Sequence, residues 1–179
     1  MNRSDCARLA LSLALATALT TADAGKAHEH GVAKLDIALA GSGIVVLLDT
    51  PLDSIVGFER APRTDAEKTR VVAAEARLRD ATQLFQLDTS AGCTLAKVVL
   101  KAPVLGWGGA AVPEKDTGHA DLDASFEFQC RDASRAGAMQ LGLFDAFPAL
   151  SRINVQVAGP KGQVQAVLRK PASRVKLTR

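Results

Sequence analysis

The stretch GVAKLDIALAGSGIVVLLDTP, residues 31 to 51, decides the fold. Val32, Lys34, Asp36 and Ala38 alternate with Ala33, Leu35, Ile37 and Leu39. Side chains two apart in an extended chain share a side, so this is a strand with one apolar face. AGSG, residues 40 to 43, supplies a turn. IVVLLD then returns as a strand that is apolar on both faces, the pattern of a central position in a sheet. Pro51 ends it, because proline has no N–H to give to a ladder.

Working outward, SIVGFERAPR (54 to 63) reads as a loop, with a Gly and a Pro. Thr64 and Glu67 then have the spacing of a capping box, in which each side chain satisfies a backbone donor at a helix start. Val71, Ala74, Leu78, Ala81 and Phe85 follow at spacings of three and four, which is one helical face. Lys68, Glu75, Arg79 and Asp80 occupy the opposite, solvated face. Beyond the helix come short strand signals: CTLAKVVL (93 to 100), the end of HADLDASFEFQC (119 to 130), MQLGLF (139 to 144), INVQVAG (153 to 159), QVQAVLR (163 to 169) and RVKLT (174 to 178). GPKG joins two of them as a hairpin turn. Residues 101 to 118 are rich in Gly and Pro without periodicity, an exposed loop in which Trp107 is expected to fold back on its own domain. The sum is an α+β fold: one antiparallel, sheet-rich domain with a long helix packed on a sheet face.

The chain has 179 residues, enough for one ordinary domain. Arg3, Arg8, the apolar run LALSLALATAL (9 to 19) and ADA (22 to 24) have the layout of a secretory signal, with cleavage after Ala24. Residues 1–24 are therefore read as a leader and 25–179 as a single exported domain, in a bacterium. The apolar run is too short to span a bilayer, and no later segment of the mature chain inserts in a membrane. Cleavage removes Cys6 and leaves Cys93 and Cys130. In an oxidising compartment one disulfide is the preferred reading, worth roughly 4 kcal/mol by chain entropy. Two buried thiols, or two soft metal ligands, are the alternatives.

A net charge of +3 with mixed signs and an aromatic content of 4% speak against a nucleic-acid partner. No nucleophile elbow or phosphate loop is present, so the chain is read as not an enzyme. The chemistry that remains lies in the three histidines. His28 and His30 are two apart, and His119 is followed at the same spacing by Asp121 and Asp123. In extended segments each set shares a side. If the segments meet, His28, His30, His119 and one of Asp121 or Asp123 supply the four ligands of a zinc tetrahedron. The same donors suit Cu²⁺ or Ni²⁺. The competing reading is a polar strand start and a solvent face that bind nothing. Cleavage one residue later, after Gly25, would instead place His28 third from a free amine, a copper or nickel claw.

AHEHGVAKLDIAL, SIVGFERAPRTDAEK, AGC, FEFQC and LGLFDAFPALSRINVQV, in that order, resemble the ZrgA family. The resemblance runs from about residue 27 to 178. It implies a periplasmic protein of a Gram-negative bacterium, an accessory of zinc uptake that works beside an ABC-type zinc importer or its substrate-binding protein. It further implies that Cys93 and Cys130 pair, and that His28, His30 and His119 stand at the family's histidine positions. Two departures stand out. The family's histidine-rich insert falls near residues 104 to 118, where this chain has no histidine. Arg60 also replaces a histidine of the family, and arginine does not ligate metals. The expectation is a single zinc site in place of a high-capacity loop, or alternatively a metal-independent adaptor that docks through its sheet edge or the Trp107 loop.

Overall fold

The computed structural model describes residues 29–109 and 120–178. The expected leader, His28 and His119 lie outside the described residues.

The opening hairpin forms as its sequence directs. Strands β1 (Val32–Ala40) and β2 (Gly43–Pro51) pair antiparallel from Ala40↔Gly43 to Lys34↔Asp49. Four more strands extend them: β4 (Cys93–Lys101), β5 (Asp121–Cys130), β7 (Arg152–Gly159) and β8 (Gly162–Arg169). The six run in the order β4-β5-β2-β1-β7-β8, so the hairpin is central. All neighbours are antiparallel except β1 and β7, which are parallel. A second sheet joins β3 (Phe85–Leu87), β6 (Ala138–Leu141) and β9 (Arg174–Lys176) in the order β3-β6-β9.

One face of the large sheet is buried. Leu35, Ile37, Ile44, Val46, Leu48, Leu122, Phe126, Ile153 and Val155 lie on it, each at most 2% exposed. Burying a side chain of this size stabilises by roughly 1.5–3 kcal/mol, which is what fixes the register. The cover is made of the small sheet and four helices: α1 (Asp53–Val56), α2 (Asp65–Arg79), α3 (Ala81–Leu84) and α4 (Leu143–Ala146). Phe85 of β3 meets Phe126 of β5 with ring centroids 4.8 Å apart. The other face is open and polar, carrying Lys34, Asp36, Asp123 and Gln156. Leu47 is 48% exposed there, so the two-sided apolar pattern of β2 located a central strand although one of its faces meets solvent.

The capping box at Thr64 and Glu67 is present, with Val71, Ala74 and Leu78 buried beneath α2. The periodic stripe from Thr64 to Phe85 is not one helix, however. Asp80 leaves helical geometry at φ −83°, ψ 57° and accepts a 2.9 Å bond from the Thr82 hydroxyl. α2 therefore ends at Arg79 and packs against α1 and α3, and Phe85 already belongs to β3. Among the described residues no helix is long and apolar enough to cross a membrane. Trp107 is 6% exposed and pairs with Ala102, so the described part of the Gly-rich loop folds back onto the domain.

Candidate metal centre

The large sheet has two ends, and polar groups collect at one of them. There β1 begins, β2 stops and β5 begins. Pro51 closes β2, and the chain turns into α1, whose Ile55 and Val56 amides both bond to the Leu52 carbonyl. Gly57 ends this turn at φ 86°, a left-handed conformation that glycine adopts without steric cost. Beyond the turn the chain brings Glu59 back to the neighbourhood of His30 and Asp53.

His30 faces this turn. Its Nδ1 is hydrogen-bonded to Asp53 Oδ2. Ser54, 1% exposed, ties the two backbones together. Its hydroxyl donates to Asp53 Oδ1 at 3.1 Å and accepts from the Gly31 amide at 2.9 Å. The Gly31 carbonyl accepts in turn from the Ser151 and Arg152 amides, at 2.8 and 3.1 Å. Arg152 forms an ion pair with Glu29. The residues on both sides of His30 are thus fastened to α1 and to the entry of β7.

Ligand atoms of His30, Asp53 and Glu59 lie within 4.8 Å of one another. His30 is exposed and the two carboxylates are half-buried. In a zinc tetrahedron with bonds near 2.0 Å the ligand atoms stand about 3.3 Å apart, so these three would have to draw closer to hold an ion. One imidazole and two carboxylates also balance the charge of a divalent cation. The bond to Asp53, then its charge, then that of Glu59 raise the pKa of His30 above its ordinary 6.5. The raised pKa favours the protonated ring, and a protonated imidazole does not ligate a metal.

Arg60 braces the Glu59 loop. Its guanidinium makes a two-pronged contact with Glu67, at 2.7 and 3.0 Å, and lies 5.1 Å from the centre of the Phe58 ring. That contact first, then the Arg63 amide, holds the Glu67 carboxyl down at about 2.

Of the five ligands expected from sequence, His30 is in this group. Asp121 and Asp123 are on β5, opposite Pro51 and Asp49, and stand outside the group of converging ligands among the described residues. His28 and His119 fall outside the described residues. Ala120, which follows His119 in the chain, accepts a 2.9 Å bond from the Leu52 amide, one residue before Asp53. The sequence reading missed Asp53 and Glu59. The hairpin register held a signal for the first. Stepping outward from Ala40↔Gly43, each residue back along β1 matches one forward along β2, and His30 comes opposite Asp53. Glu59 sat in the VGFE signature as a family mark with no chemistry assigned.

Cys93 and Cys130 are joined in a disulfide at the opposite end of the same sheet. That bond excludes them as thiolate ligands.

No curated protein matches the sequence. A family model described as ZrgA family zinc uptake protein matches residues 27–177, and the chain accordingly belongs to the ZrgA family, whose members are zinc uptake proteins.

Proposed function

We propose that the mature chain is a periplasmic zinc-binding accessory that captures Zn²⁺ at His30, Asp53 and Glu59 and hands it to an ABC-type importer or its substrate-binding protein. It acts as a carrier and not as an enzyme. The observation that carries this reading is the convergence of the three ligand atoms within 4.8 Å in a chain of a zinc uptake family. Three protein ligands on an exposed edge leave a coordination position open, which suits exchange better than permanent storage. His28 and His119 are the candidates for that fourth position. His28 lies two residues from His30, and His119 adjoins Ala120, whose carbonyl is bonded beside Asp53. Copper and nickel favour the same donors, so selection for zinc rests on the supply in the compartment as much as on the site.

Calorimetric titration of chelator-treated mature protein with zinc chloride tests the reading. One saturable site is expected. Loss of even an outer-shell partner lowers metal affinity about 10–100-fold, so His30→Ala, Asp53→Asn and Glu59→Gln should each lower it at least tenfold. His28→Ala and His119→Ala identify the fourth ligand. Heat no greater than nonspecific background in the unmodified protein would sink the proposal and leave a metal-independent adaptor.

A further inference from the structure

The two edges of the large sheet differ. β4 is blunted in the ways that sheets use to avoid pairing with other chains. It carries a register shift between Leu95 and Lys97, two lysines, and a disulfide to β5. β8 has none of these. It is eight residues long, pairs with β7 without a register shift from Gly159↔Gly162 to Arg152↔Arg169, and contains no proline. The two-residue turn makes Gly159 and Gly162 a hydrogen-bonded pair, so Val164, Ala166 and Leu168 bond to β7. Gln165 and Val167 turn their N–H and C=O groups outward. Val167 is 62% exposed.

We infer that the β8 edge is a docking site for an extended segment of a partner protein, which adds to the sheet as a seventh strand and carries acidic residues at its ends. Charge selects this occupant. Lys161 precedes β8 and Arg169 ends it; both are exposed, and neither makes a close ion pair with a described carboxylate, although the charge of Lys161 also acts on Asp132. Arg152, whose own charge is met by Glu29, stands opposite Arg169 in the ladder, so the uncompensated cation at this end is Arg169. A second copy fits less well. Antiparallel pairing of β8 with itself, centred on Gln165, sets Lys161 opposite Arg169 twice, and like charges directly opposite are destabilising. An alternating segment suits the side chains, since Val164 and Ala166 are only half-buried on the core side. β8 is two strands from β1, and its Arg169 end lies at the same end of the sheet as His30. At about 4.8 Å per strand, a docked segment would run roughly 15 Å from β1. The inference stands whether or not that site binds metal.

The test uses nitrogen-labelled mature protein and a capped synthetic nonapeptide that alternates valine and threonine between two terminal glutamates. Saturable shifts of the Gln165 and Val167 amides, with slowed exchange at both, are expected below about 1 mM. The same peptide with lysine at both ends should bind at least fivefold more weakly. Gln165→Pro removes an outward N–H without touching the bonds to β7, and should abolish binding. Val167→Lys, which leaves the backbone intact, should weaken it severalfold. No saturation by the glutamate peptide, equal binding of the lysine peptide, or shifts centred on β4 would overturn the inference. So would a concentration-dependent dimer in sedimentation that Gln165→Pro removes, because the occupant would then be a second copy.

Discussion

The two ends of the large sheet are held by different chemistry. At the far end a covalent bond joins Cys93 of β4 to Cys130 of β5, and two-residue turns close the β1–β2 and β7–β8 hairpins. At the near end β1, α1 and β7 are joined by polar contacts: His30 to Asp53, Ser54 to Gly31 and Asp53, and Glu29 to Arg152. A disulfide ignores protons and metal ions but yields to a reductant. The polar end has no such bond and responds to protons through the His30–Asp53 contact. One sheet thus has a covalently fixed end and a polar end whose contacts depend on protonation.

The largest expected effect falls on the fixed end. Replacing both cysteines, Cys93→Ser with Cys130→Ser, should cost about 2–4 kcal/mol in denaturant unfolding, since the bond closes a separation of 37 residues. Zinc affinity should change less than twofold. A tenfold loss of affinity would show that the two ends are coupled and break the comparison.

Gly57→Ala acts on the responsive end. The backbone there sits at φ 86°, and an added Cβ would come within 3.2 Å of the Arg70 guanidinium. The left-handed conformation costs about 1–2 kcal/mol for any residue with a Cβ. Stability should fall by that amount, and zinc affinity by about tenfold as Glu59 is displaced. Loss of stability with unchanged affinity would remove Glu59 from the ligand set.

The smallest effect is graded with pH, and its sign separates metal from proton. Asp53 and Glu59 raise the pKa of His30, so below that raised value the imidazole is protonated and does not ligate. Zinc affinity should fall by up to about tenfold per pH unit as the pH drops through it. The metal-free protein responds in the opposite sense. The His30–Asp53 pair stabilises it fully below the ordinary 6.5 of histidine and ceases to do so as the pH rises through the raised value. The brace between Arg60 and Glu67 is present above the ordinary 4.5 of glutamate and is lost only as the pH falls through about 2, so it does not contribute to the change near neutrality. Titrations at a series of pH values read the slope, and a flat profile between pH 6 and 8 would exclude His30 as a ligand.

The same contrast marks what the sequence made legible. Strands whose buried face alternates cleanly were readable, because burial dictates period. The central hairpin, β5, β7 and β8 all carry that pattern, and the Thr64–Glu67 box marked the start of α2. The helix break at Asp80 was hidden, since the apolar stripe runs straight through it while the backbone there leaves helical geometry. MQLGLF likewise passes from β6 into α4 at Gly142 with no interruption of apolar character. At the site, His30 stood out as a rare residue type. Asp53 and Glu59 are common types, and only the hairpin register and the left-handed turn at Gly57 bring them to it. The arithmetic of register was available in the sequence, whereas the return of the chain after Gly57 is a product of tertiary packing.

The central claim is that the His30 ring is a ligand. The most direct measurement is a long-range proton–nitrogen correlation spectrum of nitrogen-labelled mature protein, recorded near neutral pH during stepwise addition of zinc. The ring nitrogens of His30, assigned by comparison with His30→Ala, should move from a partly protonated pattern to a metal-bound one, complete at one equivalent. Zinc that binds while the His30 ring signals stay unchanged would contradict it.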